Sequence, residues 1–375
     1  MIAVPPCPAR IGQSLAEVDT PALLVDLDAL ERNLRRMPAL LAGYRGRLRP
    51  HAKTHKSPDI AARQVALGAV GVCVQKVSEA ERMVDGGIAD VYVSNEIVGA
   101  PKLARLAALA RRARLAVCVD DAGNARELSA AMVAAGATID VLVEVNVGAD
   151  RCGVDPGEPA LALARSVASL PGLRFAGLQA YQGGAQHLRG HDERRAAIES
   201  AAARARATRT LIEAAGIAVP LVTGAGTGTF PFEAASGVWD ELQVGSYVFM
   251  DADYARNRAA GGGPFAEFEH ALHVYATVMS RAVPGRAVVD VGLKAVAVDS
   301  GLPLVADLPG VEYVGASDEH GKLRIADAAA QIAVGDKLRL IPGHCDPTVN
   351  LHDWYVGVRA GVVECLWPIA RGPGF

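Results

Sequence analysis

Eight short apolar runs recur along the first two-thirds of this 375-residue chain, separated by stretches rich in Ala, Arg and Glu. They fall at 48–55 (LRPHAKTH), 70–76 (VGVCVQK), 90–95 (DVYVSN), 115–120 (LAVCVD), 140–147 (DVLVEVNV), 174–181 (RFAGLQAY), 220–226 (PLVTGAG) and 241–247 (ELQVGSY). Continuous Val, Ile, Leu and Cys runs are the pattern of parallel strands buried on both faces, and amphipathic segments such as 127–135 and 193–215 supply the crossover helices. Eight such units close an α/β (β/α)8 TIM barrel, while an open doubly wound sheet shares the same local pattern and stays the alternative.

Two segments lie outside that rhythm. TPALLVDLD (20–28) has the pattern of a strand leading into a helix over Leu27–Leu41. From about Phe265 the chain turns to short strands with turn residues between them, the pattern of a C-terminal all-β domain. The expected organisation is an N-terminal segment (1–24) packing with the β-domain, a barrel (25–260) and a β-domain (265–375), with AAGGGP (259–264) as a flexible boundary.

Composition narrows the partners. Lys and Arg number 38 against 41 Asp and Glu, so no basic field for nucleic acid or polybasic membrane anchor exists. No run reaches the length of a membrane span, and six cysteines without paired spacing indicate reduced, cytoplasmic usage. A small-molecule ligand is the expectation.

Chemistry gathers at the C-terminal ends of barrel strands. The runs end in Lys53 and His55, Gln75, Asn95, Asp120, Asn146 with Arg151, Tyr181 with Gln182, a Gly-rich loop, and Ser246 with Tyr247. RPHAKTHKS (49–57) crowds five basic residues, and neighbouring cations depress a lysine's pKa and make it a nucleophile; a solvated basic loop is the bland reading. TGAGTGTF (223–230) offers glycines and hydroxyls that can cradle a phosphate, although simple turn glycines have the same look. A lysine and a phosphate cradle together suggest pyridoxal 5'-phosphate held as a Schiff base, with Arg151 or Tyr181 at its ring. In PGHCDPTVNLHD (342–353), His344 and Asp346 would share one face of a strand and suit a divalent cation acting as a Lewis acid; a hydrogen-bonded loop pair is the alternative, for them and for His352 with Asp353.

RPHAKTHKS, QKVSEAE (75–81), SNEIVG (94–99), DRCGV (150–154), LQAYQG (178–183), TGAGTGT, LQVGSYVFMD (242–251) and PGHCDPTVNLHD together resemble the D-threonine aldolase and D-serine dehydratase family of fold-type III pyridoxal phosphate enzymes. The resemblance covers nearly the whole chain from Asp19. It implies an alanine-racemase-like barrel with a β-domain, usually in a dimer. It implies Lys53 as the Schiff-base lysine, Gln75, Arg151 and Tyr181 near the ring, and Thr223, Gly226, Thr227, Ser246 and Tyr247 around the phosphate. It implies His344 and Asp346 as the metal pair, with Mn²⁺ the first choice and Zn²⁺, Mg²⁺ or Co²⁺ as alternatives. Aldolase-like members carry His-x-Asp at that motif and dehydratase-like members His-x-Cys, so His344-Cys345-Asp346 favours the aldolase unless a bulge brings Cys345 inward. His187 matches a histidine near the substrate hydroxyl, where it or a water on the metal would take the hydroxyl proton.

The activity so implied is retro-aldol cleavage of D-threonine and related D-3-hydroxy amino acids to glycine and an aldehyde. Dehydration of D-serine or D-threo-3-hydroxyaspartate to a 2-oxo acid and ammonia is the alternative. A non-enzymatic pyridoxal phosphate carrier and a racemase stand further off; carriers lack the β-domain, and no second acid/base residue for a racemase is evident.

Overall fold

Each apolar run becomes a strand because its side chains can be buried on both sides at once. The computed structural model describes residues 6–306, 308–326, 331–372 and 374. In chain order the first part comprises β1 (Ala22–Asp26), α1 (Leu27–Leu41), β2 (Arg47–Leu48), α2 (Pro58–Ala66), β3 (Val72–Val74), α3 (Val77–Asp85), β4 (Asp90–Glu96) and α4 (Ala100–Ala110). It continues through β5 (Arg114–Val119), α5 (Ala122–Ala135), β6 (Ile139–Glu144), α6 (Glu158–Ser169), β7 (Leu173–Gln179), α7 (His191–Ala214), β8 (Leu221–Gly224), α8 (Phe230–Ser236), β9 (Glu241–Leu242) and α9 (Ala252–Ala255).

Strands β2 to β9 form one parallel sheet in the order β2-β9-β8-β7-β6-β5-β4-β3. Its ends meet: Val70 N donates to Leu48 O at 2.9 Å, Cys73 N donates to Pro50 O at 2.8 Å, and His51 bridges Cys73. The sheet is therefore a closed barrel, which rules out the open alternative. Cys73, Tyr92, Cys118 and Leu142 fill its interior, with the Tyr92 hydroxyl 2.8 Å from Cys118 Sγ and donating to Gln179 Oε1 at 3.0 Å. All six cysteines are free, so two of them serve as small apolar fillers.

The second part comprises β10 (Leu272–Val283), β11 (Arg286–Val289), β12 (Leu304–Val305), β13 (Val311–Ala316), β14 (Gly321–Ile325), β15 (Lys337–Ile341), α10 (Cys345–Val349), β16 (Trp354–Arg359) and β17 (Val362–Pro368). Its sheet runs β13-β14-β11-β10-β1-β16-β17, with β15 also on β10. The first strand of the chain thus lies inside the second sheet, antiparallel to β10 and parallel to β16. Asp26 ends β1 and caps α1 by accepting from Asp28 N and Ala29 N, both at 3.0 Å, so one residue hands the chain to the barrel. Among the described residues no helix is long and apolar enough to cross a membrane.

The segment expected as a flexible boundary is instead a hydrogen-bonded turn. Ala259 N donates to Gly263 O at 2.8 Å, and buried Arg194 of α7 holds the carbonyls of Leu188, Arg189 and Arg258. A guanidinium with several fixed donors ties down what composition alone leaves loose.

Charged residues ring the N-terminal ends of the strands. Arg49 donates to Asp90 at 2.7 Å and to Glu241 at 2.6 Å, Arg47 pairs with Glu241, and Arg114 and Arg174 share Asp140. Arg49 and Glu241 are almost wholly enclosed, with side chains 7% and 2% exposed. Removing Arg49 takes the cation from the enclosed Glu241 Oε2 and leaves only Arg47 on the other oxygen, so Arg49→Met should cost about 3 kcal/mol of unfolding free energy in urea titrations, the low end for breaking a buried pair. A loss under about 1 kcal/mol, the range of a surface pair, would contradict this placement.

Candidate active site

Pro50 cannot donate to a sheet ladder, and β2 ends just before it. The chain then makes two short turns, each capped by a histidine: His51 Nδ1 accepts from Lys53 N at 3.3 Å, and His55 Nδ1 accepts from Ser57 N at 3.1 Å. Lys53 sits in the first turn, at the C-terminal mouth of the barrel. Its Nζ donates to Asp346 Oδ2 from the other domain.

The five basic residues of this stretch do not repel one another, contrary to expectation. Arg49 is neutralised at the opposite end of the barrel. Burial pushes the His51 imidazole far down, with Lys53 adding to it, and brings His55 down to about 4, so both are neutral. Lys56 turns away to Asn350 Oδ1 at 2.9 Å, Gly372 O at 3.0 Å and Glu79 at 3.3 Å. Enclosure works against the Lys53 charge, but the Asp346 carboxylate more than offsets it, so the ammonium is held up rather than depressed. The Lys53 side chain is still 41% exposed and reachable from the mouth.

A cavity of about 110 Å³ opens there. Lys53, Gln75, Arg151, Tyr181, Gly226, Thr227 and Ser246, all sequence candidates, line it. The Arg151 guanidinium lies 5.5 Å from the Tyr181 ring centroid, a cation–π arrangement on one wall. Across the floor, His51 Nε2 lies 2.8 Å from the Gln75 side-chain amide and 3.1 Å from Ser94 Oγ.

Thr223 and Tyr247 do not reach the cavity. The Thr223 hydroxyl is buried and accepts from Gln243 Nε2 at 2.8 Å, while Tyr247 points toward α2 and accepts from Gln64 Nε2 at 3.1 Å. Tyr247 contributes through its backbone N–H, which donates to Thr227 Oγ1 at 3.1 Å and leaves that hydroxyl's proton free for an anion. Asn95, Asp120, Asn146 and Gln182 shape loops: each bonds nearby backbone, at Gln75 O, Gly153 N, Gly148 N and Gly184 N respectively.

His51, Ser94, Gln179, Gln243 and Tyr254 line the cavity without having been singled out. Ser94 and Gln179 are polar residues inside apolar strands, which is the signal that could have found them. The Gly-rich loop and the turn at Gly245 pack closely against their protein neighbours beside the cavity. Ala225 adopts φ 73°, a strained value for a residue with a Cβ. A Cβ on Gly226 would come within 2.4 Å of Gln186 Oε1, and one on Gly245 within 2.7 Å of Thr54 Oγ1. The backbone there comes closer than any side chain would allow.

The metal motif is not a strand. His344 is extended, with φ −144° and ψ 125°, and caps α10, whose first turn holds Asp346. Alternation therefore does not set the direction of Cys345; burial does, with its Sγ 3.5 Å from Met250 O. His344 Nδ1 is 2.7 Å from Asp299 Oδ2, which leaves Nε2 available as a ligand. Asp346 Oδ1 is buried with no hydrogen-bond partner, an orphan that a cation would satisfy. Nearby Asp251 accepts from Cys345 N at 3.1 Å and Tyr254 N at 2.9 Å, and burial pushes its carboxyl up to about 6. His352 and Asp353 do not pair: His352 lies 2.7 Å from Ala295 O, and Asp353 holds Arg371. Apart from this motif, Glu96, Asp120 and Cys152 bring one ligand atom each within 4.8 Å of one another at the ends of neighbouring strands.

His187 ends the turn Gly183–His187 and does not itself line the cavity; its Nδ1 is 2.6 Å from Asp253 Oδ2 and its ring 5.5 Å from that of Tyr254, which does.

Beneath the Gly-rich loop, Gln186 bonds Gly228 N and the Thr229 hydroxyl, and Thr229 Oγ1 donates to Glu233 Oε1 at 2.7 Å. Glu233 Oε2 is buried without a partner, and burial pushes this carboxyl from 4.5 up to about 8. A carboxyl raised by folding keeps its proton in the folded state, so stability is greatest below its unfolded value and falls as pH climbs through the folded one. Glu233→Gln should therefore melt above the wild type at about pH 9 and lose that advantage near about pH 5. Equal melting temperatures at both pH values would contradict a neutral Glu233.

The family described as alanine racemase, N-terminal domain, matches residues 25–253, and the putative serine dehydratase domain matches 271–358. A D-threonine aldolase from Arthrobacter sp is 52% identical over 99% of this chain and 97% of its own length. A 3-hydroxy-D-aspartate aldolase from Paracoccus denitrificans is 48% identical over 98% and 96%, and a D-threo-3-hydroxyaspartate dehydratase from Delftia sp. is 32% identical over 96% and 99%. The crystal structure of D-threonine aldolase from Filomicrobium marinum superposes with a TM-score of 0.96 at 55% identity, covering 99% of this chain and all of that one.

Proposed function

This chain belongs to the D-threonine aldolase family of alanine-racemase-like proteins, and from that premise we propose that it cleaves D-threonine and related D-3-hydroxy amino acids to glycine and an aldehyde. The observation that carries the reading is the contact between Lys53 and Asp346, which sets an amine and a candidate metal carboxylate side by side at one cavity.

Pyridoxal phosphate, when bound, supplies the sink for the electron pair left on Cα, and a divalent cation supplies positive charge at the β-oxygen. The residues present suit both groups. Lys53 is the amine that would hold the cofactor. Gly226, Thr227 and Ser246 would receive its phosphate, and Gln75, Arg151 and Tyr181 would surround its ring. His344 Nε2 and Asp346 Oδ1 would take the metal. One imidazole with one carboxylate suits Mn²⁺, and Zn²⁺, Mg²⁺ or Co²⁺ by the same chemistry. We assign to His187, whose ring packs on that of Tyr254 in the cavity wall, the uptake of the β-hydroxyl proton. We infer in addition a cytoplasmic homodimer, from the six free cysteines and the family resemblance.

Cys345 favours cleavage over dehydration. Its thiol is wholly buried, with Sγ turned onto Met250 O at 3.5 Å. A His-x-Cys metal pair is thereby disfavoured, and the carboxylate of Asp346 is the available second ligand.

The test is product analysis. The protein loaded with pyridoxal phosphate and Mn²⁺ should convert D-threonine to glycine and acetaldehyde, lose that activity in chelator, and lose it in Asp346→Ala even with excess metal. Formation of 2-oxobutanoate and ammonia instead would overturn the proposal.

A further inference from the structure

His187 has few anchors of its own. It ends a short turn, and its side chain is 48% exposed, whereas Asp253 in α9 is enclosed, with 5% of its side chain exposed. The imidazole is fixed by the 2.6 Å contact of Nδ1 with Asp253 Oδ2 and by the Tyr254 ring, which itself lines the Lys53 cavity. The remaining Asp253 oxygen, Oδ1, receives Arg189 Nη2 and, at 3.5 Å, Arg256 Nη1. Two guanidiniums thus balance one carboxylate that is already committed to an imidazole. Arg189 Nη1 also bonds Asp253 O at 2.8 Å and Asn257 Oδ1 at 2.9 Å, so the fork is locked on α9.

The same helix is tied to the metal motif. Ala252 N donates to Pro342 O at 3.0 Å, and Asp253 N donates to Gly343 O at 3.1 Å. Arg256 Nη1 donates at 2.9 Å to the carbonyl of Ser300, next to Asp299 on His344. One short helix therefore fixes where His187 stands relative to His344 and Asp346.

We propose that Asp253 is a positioning residue: it holds His187 with the proton on Nδ1, so that Nε2 is the free base that faces the substrate β-hydroxyl. This rests on the retro-aldol reading. An acceptor fixed on one ring nitrogen selects the tautomer in which the other nitrogen carries the lone pair. In the cleavage the β-O–H bond breaks and its proton passes to Nε2, while its electron pair forms the aldehyde C=O. The Cα–Cβ pair stays with Cα, which then takes up one proton to give glycine. Asp253, Arg189, Arg256 and Tyr254 are the charged and titratable groups facing the imidazole. Arg189 and Arg256 both bond Asp253 Oδ1, which leaves Oδ2 for the imidazole.

The experiment compares holoenzyme with Asp253→Asn, Asp253→Glu, His187→Asn and the Asp253→Asn/His187→Asn double variant, each loaded with pyridoxal phosphate and Mn²⁺. Asp253→Asn should lower kcat for D-threonine by about 10²-fold or more with little change in KM, the scale of a lost general base. Asp253→Glu should recover part of kcat, and the double variant should be no worse than His187→Asn. A folded, loaded Asp253→Asn protein with wild-type kcat overturns the proposal, as do losses that multiply in the double variant. ¹⁵N NMR of His187 in the wild-type protein gives a readout independent of any variant: Nδ1-protonated imidazole is expected, and Nε2-protonated imidazole overturns the assignment. Production of 2-oxobutanoate and ammonia sinks the retro-aldol reading and the base role with it. A wrong tautomer in an enzyme that makes glycine and acetaldehyde sinks the Asp253 proposal alone.

Discussion

Lys53 and Asp346 stand 293 residues apart in the chain, one from each domain, yet the fold brings them into contact. Neither domain alone contains the chemistry. The barrel brings the amine to its mouth, and the second domain brings the carboxylate down onto it. A charge pair in a partly enclosed place is stable only where both partners stay in register. The fold secures this with hydrogen bonds around the pair. Tyr355 of β16 donates to His55 O at 2.8 Å, Ala370 N donates to Lys56 O at 2.9 Å, and Asp251 accepts from Cys345 N. Each ties the RPHAKTHKS turns or the barrel's last loop to the domain that carries Asp346.

That register also explains why the first strand of the chain is lent to the second sheet. With β1 between β10 and β16, α1 leaves the second sheet from its centre and packs on the barrel. Asn33 of α1 donates to Val248 O at 3.1 Å and to Glu269 O at 2.8 Å, at the seam between the two parts. The two domains are built from interleaved segments, which resist separation better than a single linker would.

Much of this was legible in the sequence because burial on both faces leaves a strong pattern. Each of the eight apolar runs overlaps a barrel strand, although β2 and β9 are only two residues long and the runs at 48–55 and 241–247 mostly become turns. Lys53, Gln75, Arg151, Tyr181, Gly226, Thr227 and Ser246 all reach one cavity since position at a strand end dictates it. What could not be read were the relations between distant residues. Whether Lys53 is depressed or held up depends on Asp346, and whether Arg49 joins a basic cluster depends on Glu241 and Asp90. The His344–Asp346 spacing misled in a different way. It suits a strand and a helix cap equally, and a residue pair alone carries no period. Where the Thr223 and Tyr247 side chains point was not legible, because a hydroxyl's direction is set by its partner, here Gln243 and Gln64, and neither partner is near in sequence.

The account stands on the amine at position 53 being the group that carries the cofactor. Borohydride reduction of the purified, pyridoxal phosphate-loaded protein, followed by peptide mass mapping, tests this directly. The prediction is a single reduced pyridoxyl adduct on the peptide containing Lys53, absent from Lys53→Ala. An adduct on Lys56 or Lys76 instead, or none on a protein that still turns over substrate, would contradict it.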